Sequence, residues 1–127
     1  MNILIVDDNT QVLTTIQQLL KKHSHNVEIA KNGLEAFELA QNRTFDLYIV
    51  DHLMPVMNGL QLCKNLHNSC KASKPNIIFM TTQNAQLLIE SQESGLFLFI
   101  LEKPINERYL LDLIESVFNQ NTLVHSL

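Results

Sequence analysis

Three uninterrupted apolar runs, Ile3-Leu4-Ile5-Val6, Leu47-Tyr48-Ile49-Val50 and Ile77-Ile78-Phe79-Met80, constrain this chain more than any other feature. A strand with one face in water alternates apolar and polar side chains, whereas a strand covered on both faces is apolar throughout. Such strands need a helical layer on each side, and the segments between them have helical periodicity. Strands are expected at 2–6, 26–30, 46–50, 76–81 and 97–101. Val12, Ile16, Leu19 and Leu20 mark one helix face, Leu34, Phe37 and Leu39 a second, and Leu60, Cys63 and Leu66 a third. A fourth helix is expected near 84–93. Leu110, Leu111, Ile114, Val117 and Phe118 mark a fifth, with Asn106 as its cap. The expectation is an α/β fold, a doubly wound five-stranded parallel sheet with five helices on both faces.

The chain has 127 residues, and its 46% apolar and 17% charged composition suits one ordinary globular domain. No linker or composition shift divides it. Residues 1–119 are expected to form the domain and 120–127 a polar, flexible tail, which leaves no room for an output domain. Nine basic against thirteen acidic residues give a net charge of −4, which disfavours direct nucleic-acid binding. The N-terminus has no basic leader and meets Asp7-Asp8 early, and the longest apolar run, Leu96 to Leu101, is too short to span a bilayer. A cytoplasmic protein without membrane association is expected. Cys63 and Cys70 have no second pair, so both read as reduced thiols rather than as a zinc or disulfide framework.

In an open parallel sheet, ligands bind beyond the carboxyl ends of the strands. Strand 1 ends in Asp7-Asp8, strand 3 in Asp51 and strand 4 in Thr81-Thr82, while strand 5 runs through Glu102 into Lys103-Pro104. Three carboxylates gathered in a cleft repel one another unless a cation neutralises them. Mg2+ suits the site because it takes oxygen ligands, keeps several waters and is held by few carboxylates. Asp8 and Asp51 suit direct ligation, Asp7 suits ligation directly or through water, and the backbone carbonyl of Leu53 completes the set. A carboxylate beside such an ion, with a lysine opposite, is equipped for phosphoryl transfer. Asp51, on the central strand, is expected to be the nucleophile. Lys103 pairs with the phosphoryl oxygens and the Thr81 hydroxyl donates to the attached phosphate.

These motifs resemble those of the response-regulator receiver domain of bacterial two-component signalling, and the resemblance covers essentially the whole chain. Ile3-Leu4-Ile5-Val6-Asp7-Asp8-Asn9 is similar to the family's first strand and acidic pair, and Asp51-His52-Leu53-Met54-Pro55-Val56-Met57-Asn58-Gly59 to its phosphoacceptor loop; Thr81 and Lys103-Pro104 complete the match. The resemblance implies a stand-alone, chemotaxis-receiver-like domain of flavodoxin-like strand order 2-1-3-4-5. It further implies a sensor histidine kinase or histidine phosphotransfer protein as donor, and a downstream protein effector as partner. The chain would be a switch rather than a conventional enzyme, catalysing its own phosphoryl acceptance and aspartyl-phosphate hydrolysis. It also implies a cis peptide before Pro104 and Thr81 as switch hydroxyl.

Two departures from the family pattern matter, the switch position and the flanks of the site. The aromatic switch position is Ile100, with Phe99 one residue earlier. Bulky Leu53, two residues past the acceptor, is expected to slow hydrolysis, and Gln83 holds the corresponding place after Thr81. His52 follows Asp51 and has a reading as an influence on phosphate access, but the favoured one is an ordinary exposed loop histidine; His23 and His25 read as surface residues, and His67 and His125 as lacking partners. Leu87-Leu88-Ile89 cannot all face one core; with Phe97-Leu98-Phe99 they suggest a docking or homodimer face on helix 4, strand 5 and helix 5. A phosphate-independent scaffold of the same fold is the alternative. An aspartyl-phosphate phosphatase is disfavoured, because Asp7-Asp8-Asn9 lacks the second acid two residues after its nucleophile.

Overall fold

The computed structural model describes residues 1–69 and 74–126, with 120–126 described by backbone alone. Five strands, β1 (Asn2–Val6), β2 (Asn26–Ala30), β3 (Leu47–Asp51), β4 (Ile77–Thr81) and β5 (Phe99–Glu102), alternate with helices α1 (Thr10–Lys22), α2 (Gly33–Asn42), α3 (Gly59–Ser69), α4 (Ala85–Ile89) and α5 (Glu107–Ser126). The strands form one parallel sheet in the order β2-β1-β3-β4-β5. The three apolar runs are the three central strands, and every residue of β3 and β4 is buried.

Side chains alternate across the sheet. Ile3, Ile5, Ile49, Ile78 and Met80 face α1 and α5, where they meet Leu13, Ile16, Leu110 and Ile114. Leu4, Val6, Val50, Ile77 and Phe79 face the other way, onto Ala36, Leu62, Cys63, Leu66 and Leu88. Cys63 is a packing thiol, as expected, and burial pushes its pKa up, away from thiolate chemistry. Cys70 lies outside the described residues.

Each helix begins at an asparagine whose side-chain oxygen accepts backbone N–H groups of the first turn: Asn9, Asn32, Asn58, Asn84 and Asn106. Asparagine suits the cap because its short carbonyl reaches back to the otherwise unpaired N–H groups.

Several expected boundaries move. The segment expected as one helix over 84–93 is α4, ending at Ile89, followed by a 3-10 turn over Gln92–Leu96. Ser91 breaks it, because its hydroxyl donates to Leu88 O at 2.6 Å and accepts from Glu93 N–H, restarting the chain as a new turn. Consequently β5 begins at Phe99 rather than at 97, and Phe97 stacks on Phe79 with ring centroids 4.3 Å apart. Leu34 is exposed, and α2 instead buries Gly33 and Ala36, since a close approach to the loop after β3 admits only small side chains. Phe118 is half exposed, and Leu113 takes the expected place on the α5 face. The α5 backbone is helical to Ser126. Among the described residues no helix is long and apolar enough to cross a membrane.

Candidate phosphoacceptor site

The carboxyl edge of the sheet gathers the expected residues. Asp7 follows β1, fully buried; Asp8 beside it is exposed; Asp51 closes β3 and is buried. One carboxylate oxygen from each lies within 4.8 Å of the others. Lys103 Nζ reaches across to Asp7 Oδ2 at 2.8 Å and Asp51 Oδ1 at 2.9 Å.

Local sequence explains the aim of each group. Asp7 Oδ1 accepts from Asn9 N–H at 2.9 Å, and Asn9 caps α1, so one turn fixes both the buried carboxylate and the helix start. Gly59 stands where α3 crosses the end of β3. A Cβ there would lie 2.0 Å from Asp51 O, so no larger residue fits without moving the backbone of Asp51 itself. Lys103 N–H donates to Thr81 O at 2.7 Å, and the Lys103-Pro104 peptide is cis, as expected.

The electrostatics are unbalanced. Burial pushes the Asp51 pKa up, and the negative charges of Asp7 and Asp8 add to this against the lowering effect of Lys103. Burial pulls Lys103 down, but its hydrogen bonds to Asp7 and Asp51 together with their negative charges more than offset that, and its pKa is raised. The two shifts agree: the lysine has two carboxylate partners, while Asp51 shares with Asp7 the one ammonium that reaches it among the described residues.

Thr81 ends β4 and is fully buried. Its Oγ1 accepts from Gln83 N–H at 3.0 Å and lies 3.0 Å from His52 Nδ1. Sequence reasoning favoured an exposed loop position for His52. It is buried rather than exposed, because its backbone N–H donates to Met80 O at 2.9 Å and its carbonyl accepts from Gly59 N–H at 2.8 Å, continuing the sheet one residue past Asp51. Its ring packs on Phe79 with centroids 5.1 Å apart, and burial holds its pKa down. His67 also has a partner, Leu96 O, 2.9 Å from its Nε2. Leu53 is exposed. Ile100 packs on the apolar layer facing α3 and α4, and Phe99 on the opposite layer, so the two candidate switch residues lie on different faces of the sheet.

A doubly wound α/β domain with three carboxylates, a bridging lysine and a buried hydroxyl at its strand ends belongs to the class of phosphoacceptor signalling domains. The chain is a member of the response regulator receiver domain family, which it matches over residues 3–115. It is 34% identical over 123 residues to the probable transcriptional regulator ycf29 of Porphyra purpurea, covering 96% of this chain and 58% of that protein. It is 32% identical to protein PilH of Pseudomonas aeruginosa, covering 91% of this chain and 95% of that one. The chain thus spans little more than half of the first relative and nearly all of the second. The structure of Vibrio cholerae chemotaxis protein CheY4 superposes with a TM-score of 0.83 at 30% identity, covering 91% of this chain and 97% of that one.

Proposed function

We propose that the chain is a phosphorylation-controlled switch that accepts a phosphoryl group on Asp51 from a histidine kinase or histidine phosphotransfer protein. The observation that carries this is Lys103, drawn between Asp7 and Asp51. In the transfer, an Asp51 carboxylate oxygen forms a bond to phosphorus while the phosphorus–nitrogen bond of the donor breaks, leaving its electron pair on the imidazole nitrogen, whose proton balance is met by solvent. The Lys103 ammonium then faces phosphoryl oxygens that replace its carboxylate partner, and Thr81 supplies a hydroxyl donor.

The residues fit a divalent cation. Three carboxylates against one ammonium leave two negative charges in the cluster, and all the side-chain donors are hard oxygens. Asp8 and Asp51 would hold Mg2+ directly, with Asp7 directly or through water and the Leu53 carbonyl as a further ligand. Bound there, the ion supplies neutralisation of phosphate charge. Leu53 is proposed to slow hydrolysis of the aspartyl phosphate. Signalling is proposed to run through protein contacts at α4, β5 and α5, where Leu87, Ile89 and Leu98 are exposed, to a downstream protein or a second copy of the chain.

A small phosphodonor with Mg2+ is expected to add the mass of one phosphoryl group to the wild type and none to Asp51→Asn, and beryllofluoride to bind only the former. A mass gain in both proteins moves the acceptor elsewhere. No response from either favours the second reading, a phosphate-independent docking module, for which the specific observation is Ile100 packed at the aromatic switch position.

A further inference from the structure

The Thr81 hydroxyl has one proton to donate and lone pairs with which to accept. Its oxygen already accepts from Gln83 N–H, and among the described residues its other side-chain partner is His52 Nδ1. Thr81 is fully buried, so its proton has no water to turn to. A buried hydroxyl proton without an acceptor forfeits the bond it had in solvent; the group within reach is His52 Nδ1, which accepts when that nitrogen carries no proton.

We propose that His52 is a positioning residue for Thr81: in the resting domain its Nδ1 accepts the Thr81 hydroxyl proton, and this bond must break before Thr81 can donate to a phosphoryl group on Asp51. The inference rests on Asp51 being the acceptor. One proton cannot serve two acceptors, so His52 and the phosphoryl oxygen compete for it. The imidazole cannot simply follow the hydroxyl, because its backbone is tied to Met80 O and Gly59 N–H and its ring lies on Phe79, itself stacked on Phe97. His52 therefore biases the domain toward its unphosphorylated arrangement by withholding the donor.

Nitrogen-15 NMR of the metal-free protein reads the first half of this inference. The expected result is an unprotonated Nδ1 and a protonated Nε2 on His52, with the Nδ1 resonance displaced by Thr81→Val; a protonated Nδ1 overturns the inference. Beryllofluoride titration with Mg2+ reads the second half. His52→Phe keeps a ring over Phe79 and removes the acceptor, and it should tighten binding by about tenfold, the scale of one net hydrogen bond. In a Thr81→Val background the same change should have no effect. His52→Asn, whose amide reaches the position of Nδ1, should stay near the wild type; if His52→Phe does not fold, His52→Leu takes its place. Unchanged or weakened binding, or an equal gain in both backgrounds, overturns the proposal. A wild type that takes no beryllofluoride overturns the acceptor reading and the inference together, whereas binding with a protonated Nδ1 overturns the inference alone.

Discussion

Asp7 and Asp51 compete for one ammonium, and their competition makes the pocket a source of instability in the absence of cations. A carboxyl whose folded pKa is raised binds its proton more tightly in the native state, so stability falls as pH rises from the ordinary carboxylate range through the raised value. Asp51→Asn is therefore expected to raise the metal-free melting temperature at pH 7 by several degrees and to flatten the acid side of the stability profile, as measured by calorimetry. Lys103 gives a slope of the same sign in a higher pH window, but at neutral pH its shift stabilises where that of Asp51 destabilises. Its raised pKa contributes stability that is complete below the ordinary lysine value and lost as pH climbs through the shifted one, so Lys103→Ala should remove stability at neutral pH and reduce the alkaline dependence. At this scale the sequence was informative for side chains whose chemistry matters, since Asp7, Asp8, Asp51 and Lys103 meet where strand ends predict and Thr81 stands at the end of the next strand. It was uninformative for His52, because whether a loop residue is buried depends on how the following helix closes over it. The hydrogen bond from Gly59 N–H to His52 O has no signature in residue type.

Elements in this chain are set by their ends. Five asparagine caps each contribute about 1 kcal/mol of helix stability, and four of them passed unnoticed in the sequence because asparagine is equally at home in turns. The short α4 shows the converse: apolar periodicity extends past Ile89, yet a single serine hydroxyl terminates the helix. The loop from β3 to α3 carries two opposed features. Gly59 is demanded by the approach of α3 to Asp51, so Gly59→Ala should cost about 1–3 kcal/mol, measurable by urea unfolding, and should slow phosphoryl uptake in parallel. Val56 is the reverse case, a β-branched residue at φ 71° and 81% exposed, where the backbone is strained and the side chain makes no compensating core contact. Val56→Asn is expected to stabilise the fold by about 1 kcal/mol in the same assay, because asparagine tolerates the left-handed region. The opposite result would show that the turn's shape is held by something other than the preference of the residue at its centre.

For the whole molecule, the central strands were legible because a doubly covered strand has an unmistakable composition, whereas β5 was displaced by two residues because an edge strand beside a 3-10 turn has no such signal. The sheet binds its ligand site to global stability: anything that occupies the carboxyl edge stabilises every element that contributes to it. Mg2+ at a hundredfold excess over its dissociation constant should raise wild-type unfolding free energy by about 2.7 kcal/mol, and Asp8→Ala should abolish most of that gain in a thermal shift series. The contact from Lys103 to Asp7 joins residues separated by 96 positions of the chain. During synthesis the three aspartates therefore leave the ribosome well ahead of the lysine that completes their pocket. On the reading proposed for Asp51, a growing chain therefore lacks a complete acceptor pocket until β5 has been made and docked.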